Sequence, residues 1–174
     1  SYTKKEFGAR GKPANHHTRE GDISQVVLST RLEADYEGSL LNFYRIIRTL
    51  NPSPYMFYFS GSDLEVAGAS PETLVKLTDG VLHTFPLAGT RPRGQTPEED
   101  AALETELLHD EKELAEHNML VDLGRNDIGK ISRFGSVEVE KYHSIERYSH
   151  VMHIGSTVKG ELAEGFDAID AVNA

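Results

Sequence analysis

The stretch Asp110–Gly129 (DEKELAEHNMLVDLGRNDIG) concentrates side chains that could do chemistry. Read as a helix, it sets Glu113, Glu116, His117 and Leu120 three and four residues apart, so they share a face. Leu114, Leu120 and Val121 mark that side as largely buried, and a carboxylate aimed at a buried face is costly unless it is paired or bound to a cation. Two carboxylates at this spacing suit a hard cation such as Mg²⁺, which takes one or two protein oxygens and keeps waters or substrate oxygens for the rest. The plainer alternative is a capping acid at Glu113 beside a solvated Glu116. A zinc protease is not indicated, because the helix reads Glu-x-x-Glu-His and neither zincin histidine pattern occurs.

Three other positions offer chemistry in outline. His153 lies between Met152 and Ile154 in a strand-like run. It reads either as a satisfied core histidine or as a general acid or base working near neutral pH. Glu72 reads as an acid–base candidate or as an acid complementing a helix dipole. Gly89-Thr90-Arg91 is a plain turn, or a loop presenting backbone N–H groups and a hydroxyl to a carboxylate.

These residues must be positioned by the elements around them. Residues 1–20 are polar and broken by Gly8, Gly11 and Pro13, which predicts a poorly regular start. Ile23–Leu32 is rich in β-branched residues and reads as a strand, and residues 39–50 carry apolar side chains at helical spacing. Tyr55–Phe59 and Leu64–Gly68 predict a hairpin across Gly61-Ser62-Asp63, and a second pair flanks Asp79-Gly80. Ser70-Pro71-Glu72 has the pattern of a helix start, and Pro86–Gln95 that of a polar, basic loop. Thr96-Pro97 and Asp110 each open a helix, the latter with Asp110 and Glu113 spaced roughly as a capping box. Val137 and Val139 alternate with glutamates, Tyr148–Lys159 reads as a further strand, and a last helix begins near Phe166. Hairpins outnumber βαβ units, so the class expected is α+β with mainly antiparallel sheet.

Composition narrows the function. With 38% hydrophobic and 26% charged residues over 174 positions, the chain is globular and large enough for a core. It contains no cysteine, which removes thiol nucleophiles, thiolate metal sites and disulfides, and fits a cytoplasmic location. A net charge of −10 argues against nucleic acid and requires any anionic substrate to be neutralised locally, by a cation, helix N-termini or a few basic groups. No apolar run approaches the roughly 20 residues of a membrane span. Ser1 in place of Met, and a helical pattern that stops at Ala174, suggest a piece of a longer protein.

Taken together and in order, Asn51–Tyr58 (NPSPYMFY), Gly68–Glu72 (GASPE), Pro86–Gly94 (PLAGTRPRG), Lys112–Asp127 (KELAEHNMLVDLGRND) and Arg147–Ile154 (RYSHVMHI) resemble the component I family of anthranilate synthases, within the wider chorismate-utilising group. The resemblance runs from about Gly21 to the end, making residues 1–20 a divergent segment and 21–174 the front portion of a chorismate-binding catalytic domain, truncated at its C-terminus. Aminodeoxychorismate synthases of the common type carry a lysine where this chain has Ala88, and isochorismate synthases generally lack the long Lys112–Asp127 pattern.

The resemblance implies a fold of layered antiparallel sheets with helices outside, only part of which this chain holds. It implies a lyase of tryptophan biosynthesis: ammonia from a glutamine amidotransferase partner (component II) adds to chorismate, and pyruvate is eliminated to give anthranilate. Glu116 would be a direct Mg²⁺ ligand with Glu113 beside the metal, Gly89 and Thr90 would line the substrate site, and Glu72 and His153 would be the acid–base pair. Asn51, Pro54, Tyr55 and Met56 resemble half of a tryptophan feedback site, although a Pro-stiffened turn into a strand explains the same residues. The isolated chain is expected to be inactive. Two alternatives stay open: a non-catalytic fragment or effector-binding module, and a relative that stops at the aminated, non-aromatic intermediate.

Overall fold

A computed structural model of the chain describes residues 2–23, 25–50 and 52–174. Two compact units are present, Ser1–Phe43 and Tyr44–Ala174.

In the first unit, α1 (Lys4–Glu20) replaces the irregular start that Gly8, Gly11 and Pro13 predict. Local signals at its two ends account for the difference. Thr3 and Glu6 form a reciprocal capping box, and Gly21, at φ 80°, closes the last turn by donating to His17 and Thr18 carbonyls. Pro13 sits inside the helix, and none of its residues is buried. The strand predicted at Ile23–Leu32 is not formed by residues 25–32. No neighbouring strand pairs with them among the described residues, and Val27 and Leu32 are exposed. β-Branched composition makes a segment compatible with a sheet but supplies no partner. α2 (Leu40–Leu50) follows the predicted helical spacing.

The second unit is organised around one strand. β1 (Tyr55–Ser60) and β2 (Glu65–Ser70) form the first predicted hairpin. β3 (Lys76–Thr78) and β4 (Val81–Thr84) form the second, with Asp79 and Gly80 at φ 51° and 78° in a turn that needs two left-handed residues. β5 (Leu87–Pro92), α3 (Pro97–Leu108), α4 (Glu111–Gly129), β6 (Glu138–Arg147), β7 (Val151–Glu161) and α5 (Ala168–Asn173) complete the chain. One edge of β7 pairs with β4 and then β5, and its other edge pairs with β6. Every pairing is antiparallel, in the α+β class expected.

Two predictions in this unit are corrected. Ser70-Pro71-Glu72 does not start a helix: Ser70 ends β2, and its hydroxyl takes the Glu72 N–H and donates to the Glu72 carbonyl, closing a local turn. The same side-chain-to-backbone bond serves caps and turns alike. Pro86–Gln95 is not a loop, because residues 87–92 fill the edge of β7. Gly89 lies at φ 70° where the register shifts between Ala88 and Thr90, so its glycine marks a bulge rather than a loop.

Alternation along β7 separates two faces. Met152, Ile154, Ser156 and Val158 are buried. Met152 and Ile154 pack with Leu107 of α3 and Leu114 of α4, while Val158 and Leu82 pack with Val121 and Ile128 of α4. His153, Gly155 and Thr157 therefore lie on the opposite face of the sheet.

Candidate active site

The bulge at Gly89 places β5 against both β7 and α4. A side-chain carbon at Gly89 would lie 3.4 Å from Glu113 Cβ and 3.0 Å from Leu107 Cδ1, so Gly89 and Glu113 are immediate neighbours. Thr90 stands directly opposite His153 in the β5–β7 register. His153 Nδ1 lies 2.9 Å from the Gly89 carbonyl and 3.0 Å from Thr90 Oγ1. A carbonyl only accepts, so Nδ1 carries the proton, and in the neutral ring Nε2 is the nitrogen able to take one. Tyr148 meets the His153 ring edge-on, with centroids 5.6 Å apart. His153 is thus half-buried on the face opposite the helices and oriented by two fixed oxygens.

Glu72 is exposed at the rim of a cleft of about 330 Å³ that also presents Phe85, Pro86, Glu146, Tyr148 and Thr157. It also borders a second cleft, of about 430 Å³, shared with Leu120, Leu123 and Asp127 of α4. Glu72 makes no direct bond to His153; Tyr148 is the residue that touches one and lines the cleft of the other. Glu146, directly opposite His153 on β6, accepts from Lys141 Nζ at 2.6 Å, and that ammonium holds its carboxyl below the usual glutamate range. Tyr148, Glu146 and Lys141 were not singled out by the sequence, because only the β6–β7 pairing brings Glu146 opposite His153, with Lys141 on Glu146 and Tyr148 against the ring.

Glu113 and Glu116 are both half-buried on α4. Asp110 caps this helix by accepting from the Lys112 and Glu113 N–H groups. The nearest cation to Glu113 is Lys112 Nζ, at 3.9 Å, and Glu116 has no hydrogen bond or ion pair among the described residues. No cluster of three or more His, Asp or Glu side chains suited to a metal occurs among the described residues. The donor set is therefore two carboxylates, one without a protein partner, which fits a hard divalent cation that fills its other positions with water and substrate oxygens.

The basic residues in and just after β5 are engaged elsewhere. Arg91 binds Glu106 at 2.9 Å and Asp110 at 2.8 Å, and Arg93 grips Asp100 through Nε and Nη2. Of the segment Gly89-Thr90-Arg91, only the backbone and the Thr90 hydroxyl remain for a ligand. Ala88 pairs with Ile154 and is buried on the helix-covered face. Pro54 leads into β1, Tyr55 and Met56 are its first residues, and Tyr55 reaches Thr73 Oγ1 at 2.7 Å. Asn51 lies outside the described residues.

A second polar cluster lies behind α4. His117 is fully buried, with Nε2 2.7 Å from Ser156 Oγ, and Ser156 also accepts the His143 N–H. Burial pushes the His117 pKa down to about 4, reinforced by His143, so the ring is neutral at pH 7.

The structure presents an antiparallel sheet with an oriented histidine on one face, a cleft with carboxylates at Glu72 and Glu146, and a glutamate without a protein partner among the described residues on the adjoining helix. The chain belongs to the chorismate-binding enzymes, whose family model matches residues 1–174. Within that family it is 55% identical to anthranilate synthase component 1 of Aquifex aeolicus, over 100% of this chain and 35% of that protein. It is 54% identical to the protein of the same name from Methanothermobacter marburgensis, over 92% of this chain and 35% of the relative. The crystal structure of anthranilate synthase component I from Streptococcus pneumoniae TIGR4 superimposes with a TM-score of 0.86 at 45% identity, covering 98% of this chain and 37% of that one. The chain thus spans just over a third of the length of these relatives. No helix among the described residues is long and apolar enough to cross a membrane.

Proposed function

We propose that this chain supplies the acid–base half of an anthranilate synthase component I active site, which aminates chorismate with ammonia and then eliminates pyruvate. The observation that carries the reading is the fixing of His153 Nδ1 by the Gly89 carbonyl and Thr90 hydroxyl, which leaves Nε2 as a base on the face opposite the helices. Names of relatives along the whole chain point the same way, and "component 1" implies a second component. That partner is read as a glutamine amidotransferase that delivers the ammonia.

Each residue has a distinct task. Glu72, at the cleft rim, is exposed and able to exchange protons with the departing ring hydroxyl. His153 Nε2 accepts the ring proton whose loss makes the product aromatic, while Nδ1–H stays anchored and the ring cannot turn away. Thr90 and the Gly89 backbone are read as lining the substrate site. Glu113 and Glu116 would hold Mg²⁺, which supplies charge neutralisation for a substrate carboxylate that an acidic protein otherwise repels. Pro54, Tyr55 and Met56, with Asn51, are read as part of a tryptophan feedback site, and the location as cytoplasmic.

The test is product analysis with the full-length gene product, chorismate, an ammonium salt and Mg²⁺. Anthranilate, identified by fluorescence and mass, supports the reading. An aminated, non-aromatic product alone assigns a synthase that stops at the intermediate, and no conversion with or without an amidotransferase overturns the enzymatic reading in favour of an effector-binding module.

A further inference from the structure

One turn of α4 is fastened to the sheet by directional bonds. His117, the residue after Glu116, is fully buried and bonded through Nε2 to Ser156 Oγ of β7 at 2.7 Å. Asn118 follows, and its Oδ1 accepts from Tyr142 Oη at 2.6 Å and lies 2.7 Å from His143 Nε2. Both of those donors belong to β6, and they come from its irregular part. Lys141 pairs with Thr157 and Ser144 with Gly155, three residues on β6 against two on β7, so one residue is extra. His143 takes φ 52° there, and its ring stacks on Tyr142 with centroids 3.8 Å apart. A non-glycine residue in the left-handed region costs about 1–3 kcal/mol and persists only where its surroundings hold it. The bonds to Asn118, and that from His143 N–H to Ser156 Oγ, do so.

His117 Nδ1 is buried with no partner. An unmet buried polar atom is destabilising, and a leucine would fill the space without stranding a nitrogen. Packing alone therefore does not explain an imidazole here, whereas a fixed bond to Ser156 does. The apolar contacts of α4, through Leu114, Val121 and Ile128, resist separation of helix and sheet but fix rotation about the helix axis less sharply than directional bonds do, and the other such bond, from Arg91 to the Asp110 cap, lies at the end of the helix. A rotation of about 20° carries a group some 6 Å from the axis through roughly 2 Å. Metal–oxygen distances tolerate only about 0.2 Å.

We propose that His117 and Asn118 are positioning residues that lock the rotation of α4 against β6 and β7, and thereby aim Glu113 and Glu116 at a divalent cation. This rests on the metal reading above and goes beyond it, because His117 and Asn118 are bonded to β7 and β6 and are not read as ligands. The β6 bulge is the receiving half of the latch.

The probe is Mn²⁺, titrated into the full-length gene product and followed by electron paramagnetic resonance, with thermal unfolding recorded on the same samples. H117L should unfold at or above the wild-type temperature yet bind Mn²⁺ about tenfold more weakly, the lower end of what losing an outer-shell residue of a metal site costs. H117Q, whose amide oxygen can take the Ser156 proton, should recover most of that affinity. Asn118 is exposed, so N118A tests the same latch without a core substitution and should weaken binding likewise. A protein that merely needs His117 for folding would lose melting temperature and keep its Mn²⁺ affinity. If E116Q abolishes Mn²⁺ binding while H117L and N118A both bind as wild type, the latch is wrong and the metal reading stands. If the wild-type protein binds no Mn²⁺, both fall.

Discussion

Tyr55 Oη and Thr73 Oγ1 lie 2.7 Å apart, joining the start of β1 to the residue after Glu72. Tyr55 belongs to the segment read as an effector site and Thr73 lines both clefts beside Glu72, so one hydroxyl pair spans the two. A ligand that shifts β1 would shift the Glu72 segment through this bond. Thr73→Val keeps the shape and removes the bond, whose net worth is about 0.5–1.5 kcal/mol. Inhibition of anthranilate formation by tryptophan should then need about two- to tenfold more tryptophan. An unchanged inhibition curve would show that the bond transmits nothing.

The fixed tautomer of His153 makes a sharper prediction. On the proposed mechanism amination uses a bound cation and a placed ammonia, whereas pyruvate loss uses a base at Nε2. His153→Met keeps the bulk and removes the base, so the aminated intermediate should accumulate and leave the enzyme while anthranilate falls at least tenfold. Chromatography with mass detection reads both. Normal anthranilate turnover would assign His153 to packing, and a folded variant that neither aminates nor eliminates would assign it to substrate placement.

What could be read from the sequence followed the range of the interaction. The face of α4 that carries Glu113, Glu116 and His117 was legible, because helical period is local and Leu114 and Val121 mark it. The two hairpins were legible for the same reason, their turns being written in Gly61-Ser62-Asp63 and Asp79-Gly80. β5 was not, since Thr90 finds His153 63 positions away and its glycines and prolines look like a loop until that edge is filled. The partners of His117 were invisible too. A one-residue bulge in β6 decides which way Tyr142 and His143 point, and no local pattern announces it. α1 was misread because Gly8, Gly11 and Pro13 outweighed the Thr3–Glu6 box and the Gly21 cap.

Gly89 should be intolerant of any side chain. Its φ of 70° disfavours an L residue, and an alanine methyl would stand 3.0 Å from Leu107 Cδ1 and 3.3 Å from Ile154 Cδ1. Gly89→Ala is expected to cost about 1–3 kcal/mol in denaturant unfolding, chiefly from the backbone. It should also loosen the carbonyl that orients His153 and so lower kcat. Wild-type stability would mean that the bulge is easily relaxed.

The clamp between Arg93, just past the end of β5, and Asp100 of α3 sets a pH limit. Arg93 Nε and Nη2 grip the Asp100 carboxylate at 2.9 and 2.6 Å, and Nη1 donates to the Tyr148 carbonyl at 2.8 Å, tying α3 to β5 and to the turn before β7. The guanidinium, followed by the Gly94 N–H, pulls the Asp100 pKa from 3.8 down to about 2. A folded pKa below the unfolded one means that between these values the unfolded chain holds a proton the native chain does not. The stabilisation is therefore complete above about pH 4 and lost as pH falls through about 2. Asp100→Asn should melt a few degrees below wild type at pH 7, and the gap should narrow only between pH 4 and 2. Other carboxylates titrate in both proteins and largely cancel in that difference. A gap that stays constant across the acid range would show that Asp100 contributes through packing and its neutral hydrogen bonds, not through its charge.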